Sequence, residues 1–194
     1  METLTNQALK EWKIAIQALE QGQTILLLRK GGIREQGGKF KVAQDKILLY
    51  PTFEHQQPTL LKPEYANQVQ LVSSGWHPQT VKISSFAEIT DILSWNNSQD
   101  QSLIDALMPF HIWNEVFVRD RLQFKPQQPL YILLLRTYKL PKVYEIPYDS
   151  SYGGCRSWIE LQENIPLDNM IPVLTQENYV QQVSTIYNIL QPSL

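Results

Sequence analysis

Two short apolar runs constrain this chain more than any other feature. Thr24-Ile-Leu-Leu-Leu-Arg29 and Tyr131-Ile-Leu-Leu-Leu-Arg-Thr-Tyr138 carry unbroken aliphatic centres. Runs of that length between breakers predict strands buried on both faces, not amphipathic surface elements. Neither approaches the roughly 20 apolar residues that span a bilayer, so no membrane partner is expected. With 43% hydrophobic and 19% charged residues in 194, the chain reads as globular and not disordered. One domain over 1–194 is expected. A single cysteine and an N-terminus without a basic flank or apolar core point to a cytoplasmic protein.

Around those runs the pattern is mixed. Leu9, Trp12, Ile16 and Leu19 predict a helix over 5–21, closed by Gly22. Strands are expected at 40–42 and 46–50, where Pro51 ends the ladder, and at 68–73, 80–84, 143–148 and 157–161. Ser85 with Glu88 forms a capping-box signature for a helix carrying Phe86, Ile89, Ile92 and Leu93. Further helices are expected from Ser98 and over 112–122. Together these make a helical insertion at 85–124. Tyr179, Val183, Ile186 and Leu190 predict a closing amphipathic helix over 175–190. Strands and helices do not alternate strictly, so the fold class is α+β: a curved mixed or mainly antiparallel sheet with flanking helices.

The charge is segmented. The net charge is −2, yet residues 29–46 carry +4 and residues 119–142 carry +5, while 47–118 and 143–194 carry −5 each. If the two basic segments meet in space they form one face for a polyanion. Arg29, Lys30, Arg34, Lys39 and Lys41 are then candidate phosphate contacts. Trp76, in a loop beside His77 and Pro78, and Trp113 are candidate stacking surfaces for an unpaired base, followed by Trp158. DNA or RNA is the expected partner, with no preference legible.

Other chemistry fits less well. The glycine-rich segment 31–38 lacks the Gly-Lys-Ser/Thr of a phosphate loop, because Phe40 follows Gly38-Lys39. The lone Cys155 and His55, His77 and His111 have no paired spacing for zinc, and no metal or cofactor is expected. Asp45, Glu54 and Gln56 are a loose version of a metal-dependent nuclease pattern and form the catalytic alternative. A third alternative is a protein-interaction domain that docks a partner through its closing helix.

Five blocks, Ala8-Leu-Lys-Glu-Trp12, Leu28-Arg-Lys-Gly-Gly-Ile-Arg-Glu35, Leu49-Tyr-Pro-Thr-Phe-Glu-His-Gln56, His111-Ile-Trp113 and Tyr152-Gly-Gly-Cys-Arg-Ser-Trp158, resemble the domain of unknown function 1802 family over nearly the whole chain. The resemblance implies a small bacterial protein without an established activity, found in association with restriction–modification systems, and hence a nuclease partner protein. Residues 18–29 also resemble the helix–glycine–strand–arginine opening of PUA-like domains of the ASCH and EVE types. That likeness implies a PUA-like partial barrel and RNA or modified-base binding.

Overall fold

The computed structural model describes residues 3–30, 34–36, 39–42, 44–95, 100–154 and 156–190, with 34–36 and 39–41 described by their backbone alone. Chain order runs β1 (Leu4–Trp12), α1 (Lys13–Glu20), β2 (Leu26–Arg29), β3 (Arg34–Gln36), β4 (Lys39–Lys41), β5 (Lys46–Thr52), α2 (Pro63–Ala66) and β6 (Thr80–Trp95). It continues through α3 (Gln101–Leu107), α4 (Glu115–Gln123), β7 (Leu130–Pro147), β8 (Trp158–Pro166), β9 (Ile171–Pro172) and α5 (Gln176–Leu190). The fold is α+β. Seven strands form one mixed sheet in the order β2-β7-β6-β5-β1-β8, with β9 paired to β7 beyond β2, and β3–β4 form a separate ribbon.

The two apolar runs find each other. β2 and β7 pair antiparallel, with Leu26 opposite Leu134 and Leu28 opposite Ile132. All of these leucines and isoleucines are buried, as two-sided burial requires. In β5 the two faces are separated residue by residue: Ile47 and Leu49 join one core, Leu48 and Tyr50 the other. The sheet therefore has two hydrophobic faces. The larger is covered by α1, α3, α4 and α5; the smaller is closed by β8 and the residues that follow it.

Two helices expected from spacing are strands. Residues 4–12 form β1, parallel to β5 and antiparallel to β8. Ala8 and Leu9 are adjacent and both buried, one in each core, which a strand achieves and one face of a helix does not. Only from Lys13 does the helix begin, and Gly22 (φ 68°) ends it as expected. Residues 85–95 continue β6, hydrogen-bonded along β7. The register shifts between Ile83 and Ser85 and between Ile89 and Asp91. Each such bulge breaks the two-residue alternation, and the broken pattern imitates helical spacing. Glu88 caps nothing; it faces Lys46 at 3.7 Å and accepts from Tyr138. The helical insertion is thus confined to α3 and α4. Pro51 lies inside β5, and the Thr52 hydroxyl donates to the Glu11 carbonyl at 3.0 Å. Residues 68–73 are irregular. No helix is long and apolar enough to cross a membrane among the described residues.

The closing helix matches its expected span and packs part of its apolar side on the main core. Tyr179 and Ile186 are buried in the main core, Tyr187 donates to Asp91 at 2.6 Å, and Arg136 donates to the Thr175 carbonyl. Val180 on the same helix stays 48% exposed.

Candidate functional site

β1 and β2 both end at the same opening. β1 delivers Glu11 and Trp12 there, and β2 delivers Leu28, Arg29 and the following Lys30. α4 adds Phe117 and Arg121, one turn apart on one helix face. Ser157 and Trp158 enter with the start of β8, and Trp113 lies beneath Phe117. Together they line a half-open cavity of about 410 Å³, within the range of small-ligand sites.

Its aromatic wall is ordered. Trp113 stacks on Phe117 (4.2 Å, 13°) and meets Trp12 edge to face (5.0 Å, 70°). The Arg121 guanidinium lies over the Phe117 ring at 5.0 Å, a cation–π contact. Among the described residues nothing accepts from the indole N–H of Trp113 or Trp158. Asn114 fixes this wall. Its side chain caps α4 by accepting from the Phe117 N–H and donates to the Thr59 carbonyl at 2.7 Å.

The polar wall is a buried ion pair. Arg29 Nη1 lies 2.6 Å from Glu11 Oε2, and the Trp12 backbone N–H donates to Glu11 Oε1 at 2.8 Å. Glu11 is 8% exposed. Burial lowers the pKa of Arg121, a shift opposed by the Glu11 carboxylate and reinforced by Arg29. Lys30 donates to the Gln128 carbonyl at 2.6 Å, and burial lowers its pKa. One carboxylate thus shares the site with three cations. Lys10 braces the remaining wall by donating to the carbonyls of Tyr152 (2.5 Å) and Gly154 (2.9 Å), just ahead of Ser157.

The basic segments meet here, but as a junction and not as one continuous face. Arg29 and Lys30 come from the first and Arg121 from the second. Arg136 is buried beneath Tyr179 and Tyr138, and Lys142 lies over Tyr144 on the far half of β7. Arg34, Lys39 and Lys41 lie on the β3–β4 ribbon, with Arg34 opposite Lys41 and Gln36 opposite Lys39 in register. Four Cα–Cα steps keep Arg34 within about 15 Å of Lys30.

Of the expected stacking residues, Trp113 lines the cavity while being only 3% exposed. It is a wall of the site rather than an exposed platform. Trp76 is 37% exposed and packs edge to face on Phe53 at 5.5 Å, outside this cavity. Phe53 lines a second hollow of about 340 Å³ between α1 and β6. Asp45, Glu54 and Gln56 do not converge. Asp45 precedes β5 and Glu54 follows it, and seven residues at about 3.3 Å each put roughly 20 Å between them. Glu54 accepts from the Gly75 N–H, and buried Gln56 accepts from the Ile14 N–H in the first turn of α1. No group of three or more His, Cys, Asp or Glu is placed to hold a metal among the described residues. Cys155 lies outside them.

A family model described as "Domain of unknown function (DUF1802)" matches residues 8–185. The chain belongs to this family. Eight of the ten residues lining the DUF1802 cavity fall in four of the five sequence blocks that carried the family resemblance. The fifth supplies Thr52 and Gln56, which hold β1 and α1 beside it. No curated protein matches the DUF1802 chain. Among solved structures, an ASCH protein from Zymomonas mobilis is similar at a TM-score of 0.43 and 14% identity, covering 92% of this chain and 93% of that one. A serine-to-alanine mutant of the same ASCH protein gives 0.44 and 13%, covering 95% and 98%. No residue role is carried across from them.

No residue-type pattern in the sequence marks Glu11, Trp12, Phe117 or Arg121 as site residues. The convergence of the family blocks is the signal that could have found the first two.

Proposed function

We propose that this protein binds single-stranded nucleic acid and takes one unpaired base into the cavity among Trp12, Trp113 and Trp158. The observation that carries this reading is the composition of one half-open cavity: three indoles and a phenyl ring beside Arg29, Lys30 and Arg121, drawn from both basic segments. An aromatic wall accepts any base by stacking, and adjacent cations track the phosphates. A paired base does not fit such a wall without leaving its stack. Arg34, Lys39 and Lys41 extend the phosphate track along the β3–β4 ribbon. Cleavage of the bound strand is assigned to a nuclease partner, which the family resemblance implies.

Fluorescence anisotropy of labelled single-stranded RNA and DNA tests this at low and moderate salt. Trp158→Ala removes about 1–3 kcal/mol of stacking, and Arg121→Glu or Lys39→Glu/Lys41→Glu weakens binding most at low salt and flattens its salt dependence. Wild-type affinity in all three folded variants would overturn the proposal.

A further inference from the structure

Stacking alone does not require a carboxylate, yet Glu11 lies in the cavity wall, and burying that charge carries a desolvation cost that Arg29 offsets. Its two oxygens are half used. Oε1 receives the Trp12 N–H and Oε2 receives Arg29, and no other hydrogen bond reaches them among the described residues. An ionised carboxylate oxygen accepts two hydrogen bonds, so among the described residues each oxygen has capacity for one more, on a residue that lines the cavity. Arg29 keeps further donors next to them, and Arg121 brings a second guanidinium.

We propose that the cavity selects guanine. This inference rests on the nucleobase reading given above. Guanine's pairing edge presents two neighbouring donors, the N1–H and the 2-amino group, followed by the O6 acceptor. That sequence is the complement of a carboxylate beside a guanidinium. Adenine and cytosine each turn a ring-nitrogen acceptor toward the carboxylate beside their amino group. Uracil and thymine offer a single N–H between two carbonyls. Each leaves a lone pair against Glu11, an unpaired buried acceptor that the site penalises. A volume of about 410 Å³ holds one purine mononucleotide. Glu11 is thereby a specificity-determining residue, and Arg29 both positions it and meets O6.

Tryptophan fluorescence of the full chain reads the test, since three of its five tryptophans line the cavity. The probes are guanosine, inosine, adenosine, cytidine and uridine 5′-monophosphates, and uracil or thymine hexanucleotides with one central base varied. Guanosine monophosphate and guanine-centred strands should bind tightest. Inosine monophosphate, which lacks only the 2-amino group, should bind about tenfold or more weakly, and the strand should exceed the mononucleotide through its phosphates. Equal affinity whatever the central base overturns guanine selection and leaves the nucleobase reading standing. No response to any strand or nucleotide overturns both. A mononucleotide that binds as tightly as the strand supports the guanine site and makes free nucleotide its source. Glu11→Gln should erase the preference, and if that variant does not fold, the inosine comparison decides alone.

Discussion

Glu11 and Arg29 illustrate how a residue in a strand becomes part of a site. Both are nearly buried, and each is the other's only charged hydrogen-bond partner among the described residues. Removing Arg29 takes away the hydrogen-bonded partner of Glu11 and leaves only the neighbouring Arg121 charge, so Arg29→Met is expected to cost about 3 kcal/mol in urea unfolding. Glu11→Leu together with Arg29→Met should cost less than Arg29→Met alone. Close to the same wall, His111 is held neutral. Burial, reinforced by the Lys62 ammonium, lowers its pKa from 6.5 to about 3. Above pH 6.5 the ring is neutral in folded and unfolded chains and stability does not respond. Below 6.5 the unfolded chain gains a proton that the folded one refuses, so stability falls by up to about 1.4 kcal/mol per pH unit. Between pH 6.5 and 4.5 this loss precedes carboxylate titration, and His111→Phe should flatten it in denaturation measured across that window. Residue types in the sequence pointed to Arg29, Lys30 and Trp113. Glu11 was not legible, because a single acid beside a tryptophan looks like a solvated surface position until Arg29 is folded against it.

At the scale of elements, the two aliphatic runs were legible because burial on both faces leaves no polar residue to confuse the period. β1 and β6 were misread for different reasons. In β1, Leu9 and Trp12 fall three apart and run in phase with Ile16 and Leu19 of α1, so a strand end reads as the first turn of the helix that follows it, whereas β6 has its alternation broken twice by bulges. The aromatic wall depends on α4, whose start is set by Asn114. Asn114→Ala loses the cap on Phe117 and the tie to the Thr59 carbonyl. It should cost about 1–2 kcal/mol in thermal or urea unfolding. Because Phe117 and Arg121 shift with the helix, it should also weaken oligonucleotide binding without touching the ligand.

Across the whole molecule, segmentation of charge was readable along the chain, but not where the segments would lie. Folding divides the second segment: Arg121 turns toward the first at the cavity, Arg136 turns under α5, and Lys142 is carried to the far half of β7. What remains is a local junction of cations and indoles, with the β3–β4 ribbon within chain reach. A titration of uniformly 15N-labelled protein with a single-stranded oligonucleotide, following the five indole N–H signals, tests this arrangement most directly. The signals of Trp12, Trp113 and Trp158 should move together and saturate with the binding curve, while Trp76, outside the cavity, stays in place. Movement of Trp76 alone, or of no indole while the strand is bound, would contradict a base in the cavity.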